Sequence, residues 1–342
     1  MSGRYGLCGL GALLVVMTSA AAQQVTPLSQ PFPGFNNRPI HINCATQMVS
    51  GITLTAADAR FGGFSALNLS KDEIVLLSDR GLLWTGTVGR DQNGYITEVI
   101  SLTPHPLADA QGRFLGKRRG DAESLVIEGQ RLLIGIEGDH RLSWFTEDGD
   151  LYLEEEPPFY AVGRNALPNN AGFEGVTAWA DGYLAITEHT RPSDGTAALT
   201  YLSRGGEVLG RWRYRPAGDF SPTGLTTTAD GSVYVLERAF SALSGPRARL
   251  VQLSPEALRL EETPPSPPIL DGLELARLTI LHGVDNMEGL VVEPLEDGTL
   301  RVHLVSDHNF NPLQRTVIVG LHIDPGCLTA PDTEDNADAA LH

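Results

Sequence analysis

This chain has little that would build a helix. Across its 342 residues no amphipathic stretch of useful length recurs at the helical period of about 3.6 residues. That excludes helical bundles, and also the (β/α)8 barrel, which needs eight legible helical patterns. Long apolar runs are missing too. The longest, Leu7 to Met17, is too short to cross a bilayer comfortably. Basic residues are scarce, with Lys and Arg numbering 25 against 42 Asp and Glu, for a net charge of −17. Such a balance argues against nucleic acid or anionic membrane surfaces as general partners, and suits cation binding or solubility. Cysteines number three. Catalytic signatures are absent as well: there is no Gly-x-Ser-x-Gly elbow, P-loop, His-Glu-x-x-His, Cys-x-x-Cys or dinucleotide fingerprint. A serine-nucleophile esterase therefore has no motif behind it.

The N-terminus reads as an export signal over 1–22. Arg4 supplies the positive start, Leu7 to Met17 the apolar stretch, and Ser19-Ala20-Ala21-Ala22 a small-residue cleavage site. The expectation is a mature periplasmic or secreted protein with no membrane insertion, functioning as a monomer. Removing that segment removes Cys8 and leaves Cys44 and Cys327 as an even pair for an oxidising compartment, predicting a Cys44–Cys327 disulfide. The parse continues with a lead-in over 23–43, one domain over 44–328 and an acidic, disordered tail over 329–342.

What the chain does have is one short pattern repeated five times. The copies are Ser65-Ala66-Leu67, Glu123-Ser124-Leu125, Glu174-Gly175-Val176, Thr223-Gly224-Leu225 and Glu288-Gly289-Leu290. Fourteen residues after the first four openers stand Asp79, Glu137, Glu188 and Glu237, and Asp307 stands nineteen after the fifth. Turn residues lie midway: Lys71-Asp72, Gly129-Gln130, Asp181-Gly182, Asp230-Gly231 and Asp297-Gly298. Each copy is thus a predicted β-hairpin whose two ends return together. Openers at 65, 123, 174, 223 and 288 recur at roughly fifty residues, the spacing of propeller blades. Length leaves room for six blades. The expectation is an all-β, six-bladed β-propeller whose ring is closed by N- and C-terminal strands, Met48 to Leu54 against Thr316 to Ile323.

If the openers begin the innermost strands, Glu123, Glu174 and Glu288 converge on the central channel, with Asp79, Glu137, Glu188, Glu237 and Asp307 beside them. Carboxylates gathered this way raise one another's pKa and call for a proton, an arginine or a cation. Oxygen-rich sites in exported proteins favour Ca2+, which takes six to eight oxygens in flexible geometry. Glu123, Glu137, Glu174, Glu237, Glu288, Asp79 and Asp307 are the candidate metal ligands. Glu188, His189, His308 and His140 are candidate acids or bases. Arg80 and Arg238 follow closing acids and would bind an anionic group. Lys117-Arg118-Arg119 reads as a solvated loop.

The segments Gly63-Phe64-Ser65-Ala66-Leu67, Asp121-Ala122-Glu123-Ser124-Leu125, Gly172-Phe173-Glu174-Gly175-Val176, Ser221-Pro222-Thr223-Gly224-Leu225 and Asn286-Met287-Glu288-Gly289-Leu290 resemble the phytase-like family, labelled "esterase-like activity of phytase". The resemblance covers roughly residues 45 to 325. It implies an exported acidic propeller that hydrolyses phosphoesters or related esters of small anionic substrates. Ser65 and Thr223 stand where other copies carry Glu, which makes the acidic ring lopsided. Two other readings remain open: a non-enzymatic, Ca2+-stabilised propeller that binds a ligand or partner, and a lactonase-like hydrolase with one channel Ca2+.

Overall fold

In a computed structural model, which describes residues 23–32, 38–137, 140–146, 151–152, 172–188, 195–259 and 266–329, the five hairpins open five antiparallel sheets. Blade 1 runs from the strand Phe64–Ser70 through Glu73–Ser78 and Leu82–Arg90 to Ile96–Ala108. Blade 2 pairs Ala122–Glu128, Arg131–Ile136 and Arg141–Thr146. Blade 3 begins with Phe173–Trp179 and Gly182–Thr187, and blade 4 with Ser221–Thr227 and Val233–Ser241. Blade 5 joins Asn286–Pro294, Leu300–Asp307 and Thr316–Ile323 to the N-terminal strand Thr46–Thr55. Inner strands touch in cyclic order, blade 5 meeting blade 1 as well as blade 4.

The sixth blade expected from length is not there: the described residues form a five-bladed propeller. Among the described residues, chain beyond the hairpins goes into longer strands and edges. Ile96–Ala108 alone spans 13 residues, and Leu28–Pro31 and Ile40–His41 pair with Thr46–Thr55 at the edge of blade 5. The strands at the two ends of the chain pair as expected, with Leu54 opposite Thr316 and Met48 opposite Leu321. Cys44 and Cys327 form the disulfide beside them. The segment expected to be an export signal, 1–22, and the expected tail from residue 330 onward lie outside the described residues.

Apolar residues from facing blades make the core. Gly182–Thr187 is buried at every position, as befits a strand covered on both faces. Trp84, Trp212 and Tyr183 are fully enclosed, and each such side chain contributes roughly 1.5–3 kcal/mol by leaving water. The Gly-Leu half of the repeat has its reason at the axis. A Cβ on Gly175 would come within 2.7 Å of the Leu225 backbone nitrogen, and one on Gly289 within 2.8 Å of Leu67's. Inner strands approach so closely there that only small residues fit behind the opener. The two openers that are not acids fasten neighbouring blades. Ser65 Oγ donates to the Ala122 carbonyl at 2.5 Å, and Thr223 Oγ1 to the Met287 carbonyl at 2.9 Å.

Candidate active site at the channel mouth

All five openers share one backbone device. The register of each inner hairpin shifts across the opener: between Phe64 and Ala66, Ala122 and Ser124, Phe173 and Gly175, Pro222 and Gly224, Met287 and Gly289. Each opener is therefore the extra residue of a β-bulge. A bulge leaves that residue unpaired and re-aims its side chain. Here it brings Glu123, Glu174 and Glu288 to the wall of the central channel, a cavity of about 310 Å3 lined by the inner strands.

The residue closing each second strand follows from the same register. Ser78, Thr187 and Ser306 face the residue before the bulge, so Asp79, Glu188 and Asp307 come next, and Glu137 follows Ile136 likewise. Blade 4 differs. Its partner of Pro222 is Glu237, so the equivalent position falls on Arg238. The turn in that hairpin is one residue longer than the fourteen-residue spacing assumes, and a one-residue slip moves a side chain to the other face of a strand. Glu237 accordingly leaves the candidate metal set. It is fully buried, accepts hydrogen bonds from Arg249 Nη1 at 3.1 and 2.9 Å, and accepts another from Tyr214.

Arg238 instead stands among the acids, its Nη2 3.7 Å from Glu188 and its Nε 3.4 Å from Glu288. Asn286 adds a hydrogen bond to Glu288 at 2.6 Å. The second cation is Lys117, whose Nζ bridges Asp79 at 2.7 Å and Asp121 at 2.8 Å. Burial works against the ammonium, yet its hydrogen bonds to Asp121 and Asp79 prevail and hold its pKa above the usual lysine value. The solvated loop expected over Lys117-Arg118-Arg119 is thus wrong for Lys117. Asp121 and Lys117 are the two site residues that sequence reasoning passed over. Their four-residue spacing, just before an opener, was the available signal.

Two cations face eight carboxylates among the described residues: Asp79, Asp121, Glu123, Glu137, Glu174, Glu188, Glu288 and Asp307. The imbalance shows in the titration of Asp79, Glu123, Glu137, Glu174 and Glu288. Burial, then the charges of Glu174 and Glu288, push Glu123 well above the ordinary glutamate range. Burial, then Glu288 and Glu188, do the same to Glu174. Glu288 rises to about 8 through burial, although Arg238 opposes it. Burial and Asp121 lift Glu137 to about 7. Burial also raises Asp79 despite Lys117.

These groups fit a hard cation. Asp121, Glu123 and Glu137 present carboxylate oxygens that all lie within 4.8 Å of one another, and could hold a metal ion. Asp79 Oδ1 is buried with no hydrogen-bond partner, and a buried acceptor is seldom left unsatisfied. An all-oxygen set of this kind suits a hard divalent cation rather than a thiolate- or imidazole-seeking one.

A pH prediction follows with a definite sign. A carboxyl whose folded pKa exceeds its unfolded value stabilises the protein below the unfolded pKa, and that contribution is lost as pH rises through the folded one. For Glu137 and Glu288 the window runs from 4.5 up to about 7 and about 8. Chelator-treated protein should therefore lose on the order of a few kcal/mol between pH 5 and pH 8.5. Calorimetry across that range should show a falling melting temperature, and Glu288→Gln should flatten the decline. A melting temperature that rises with pH would contradict the assignment.

The other candidates occupy the rim. His308 stacks on Phe310 with ring centroids 4.8 Å apart, lies 3.9 Å from Asp307, and accepts a 3.4 Å hydrogen bond from the Gly63 amide. Arg80 is exposed, with its guanidinium 3.8 Å above the Phe310 ring. His140 is buried. His189 lies outside the described residues. Asn309 and Phe310 both have φ of 50°, a left-handed conformation that is unusual for a bulky residue. The loop carrying His308 and Phe310 is thus held in a strained form beside the acids.

Comparison with solved structures gives low similarity. A glutaminyl cyclase from Myxococcus xanthus is 14% identical, with 82% of this chain and 97% of that one covered and a TM-score of 0.44. A glucose dehydrogenase is 13% identical, with 82% and 99% covered and a TM-score of 0.39. A search of curated proteins finds no match. The family model is more decisive. The phytase-like model, described as "esterase-like activity of phytase", matches residues 59–310, which takes in every bulged opener and closing position described above. By that match the chain belongs to the phytase-like family.

Proposed function

We propose that the channel mouth is the active site of a cation-assisted hydrolase of phosphoesters or related esters. The observation that carries the reading is the buried surplus of carboxylates over cations at Glu123, Glu174 and Glu288, built by five equivalent bulges. Asp121, Glu123 and Glu137 would hold one Ca2+, and Glu174, Glu288, Asp79 and Asp307 would hold a second or surround the first. When bound, Ca2+ supplies a positive charge that polarises substrate oxygens.

The chain's own groups do the rest. Arg238 presents its guanidinium to the anionic part of the substrate. Glu188, outside that ligand set and 3.7 Å from Arg238, takes a proton from the attacking water as the oxygen bonds to phosphorus or carbonyl carbon and the ester bond to the alcohol breaks. Lys117 fixes Asp79 and Asp121 in place. His308, at the rim beside Asp307, gives a proton to the departing alcohol. The natural setting in this reading is the periplasm or the extracellular space, with the paired terminal strands and Cys44–Cys327 as the clasp that closes the ring.

The test is turnover of chromogenic phosphate and acyl esters with and without chelator. Activity should vanish in EDTA and return with Ca2+. Turnover surviving complete chelation would remove the cation from the mechanism. A Ca2+-dependent rise in melting temperature with no turnover of any ester or lactone would instead support a binding propeller.

A further inference from the structure

Arg238 and Asn286 face two ways. On one side they contact Glu288 and, for Arg238, Glu188. On the other they line a separate cavity of about 660 Å3 between blades 4 and 5, walled by Phe240, Pro246, Ile280, Val284 and Leu313. Phe240 is 72% exposed, Ile280 53% and Leu313 89%. Large apolar side chains left in water around a concavity mark a place where apolar surface is meant to be covered. Its link to the carboxylate cluster is the pair Arg238 and Asn286, which line the groove and contact Glu288.

We propose that this groove is the specificity subsite for the organic half of the substrate, which is an amphiphilic monoester with an aryl or alkyl group rather than a fully polar polyphosphate. The inference rests on the ester-hydrolase reading above and extends it to substrate class. Charge and shape agree on the orientation. Arg238 stands where the groove meets the acids, so an anionic head at the guanidinium puts its ester-linked organic group against Phe240, Ile280 and Leu313. A polyanion would meet only two cations along the groove, Arg238 and Arg315, each already paired with carboxylates of the protein, and otherwise the uncharged amides of Asn286, Asn309, Asn311 and Gln314. Phe240 and Pro246 sit directly opposite in the hairpin that Val233–Ser241 forms with Gly245–Leu253 in blade 4. Their positions are set by the strand pairing rather than by a free loop, as a preformed pocket requires.

The experiment compares 1-naphthyl phosphate with glycerol phosphate, using the full chain, Phe240→Asp and Leu313→Asp. Both side chains are exposed, so the variants should fold, and a thermal melt checks that they do. The ratio of kcat/KM for the naphthyl ester to that for the glycerol ester should fall about tenfold in each variant, carried by KM. A second readout needs no turnover: calorimetric binding of the non-hydrolysable P–C analogue (1-naphthylmethyl)phosphonate, in the presence of Ca2+, should weaken by a similar factor. An unchanged ratio and unchanged phosphonate affinity overturn the subsite while leaving the hydrolase intact. Phosphonate binding lost in the variants, from a wild-type protein that hydrolyses neither ester, keeps the subsite and overturns the hydrolase.

Discussion

Glu174→Gln protein is expected to bind Ca2+ on the order of 100-fold more weakly, and to hydrolyse esters about 1,000-fold more slowly, than the unmodified chain. Glu174 is buried at the bulge of blade 3, and Glu288, Glu188 and Glu137 all push its pKa up. Gln keeps the shape and removes the charge. The effect on stability should reverse with conditions, and that reversal is the diagnostic. Without a cation, losing one member of a repelling cluster relieves strain, so the variant should melt higher than the parent at pH 8. With saturating Ca2+ it should melt lower, because the ligand that stabilised the parent by mass action binds poorly. Calorimetry with and without Ca2+ reads both arms. A variant less stable under both conditions would mean that Glu174 serves only as packing.

Glu237→Ala should be the most destabilising substitution of any acid in the repeat, at about 3–5 kcal/mol. Glu237 is enclosed between blades 3 and 4, where Tyr214 and Arg249 satisfy it, and Arg249 also pairs with Glu274 at 2.5 Å. Deleting the carboxylate leaves Arg249's charge half-answered in the interior. Urea unfolding should show the loss, and Arg249→Met combined with Glu237→Leu should recover part of it. The folded fraction of Glu237→Ala should keep the parent's Ca2+ affinity. A drop in affinity like that of Glu174→Gln would return Glu237 to the metal site and undo the register argument.

That contrast shows where the sequence was legible. Turn dipeptides, alternating strands and five evenly placed openers predict hairpins because each depends on neighbours within about fifteen residues. The convergence of Glu123, Glu174 and Glu288 also followed, since equivalent positions in repeated blades must share a radius from the axis. The sixth blade was an inference from length, and length cannot say how many residues an outer strand such as Ile96–Ala108 will absorb. Glu237 and Glu188 looked equivalent by counting. Five hairpins with one spacing would have made them so, but one extra residue in the turn at Asp230-Gly231 put Arg238 in the ring and Glu237 in the core. Counting outward from that turn, rather than forward from Thr223, would have found it.

By itself the sequence determined the blade repeat, the terminal disulfide and the acidic character of the channel mouth, because each rests on local periodicity, cysteine parity or composition. Only the tertiary structure decided which acids remain unneutralised. Lys117 reaches Asp79 across 38 positions, Arg238 reaches Glu288 across blades, and the groove beside them is walled by residues from Phe240 to Leu313. Charge compensation and concavity depend on distances in space, and side chains from separate blades acquire those distances only once the sheets pack around a common axis.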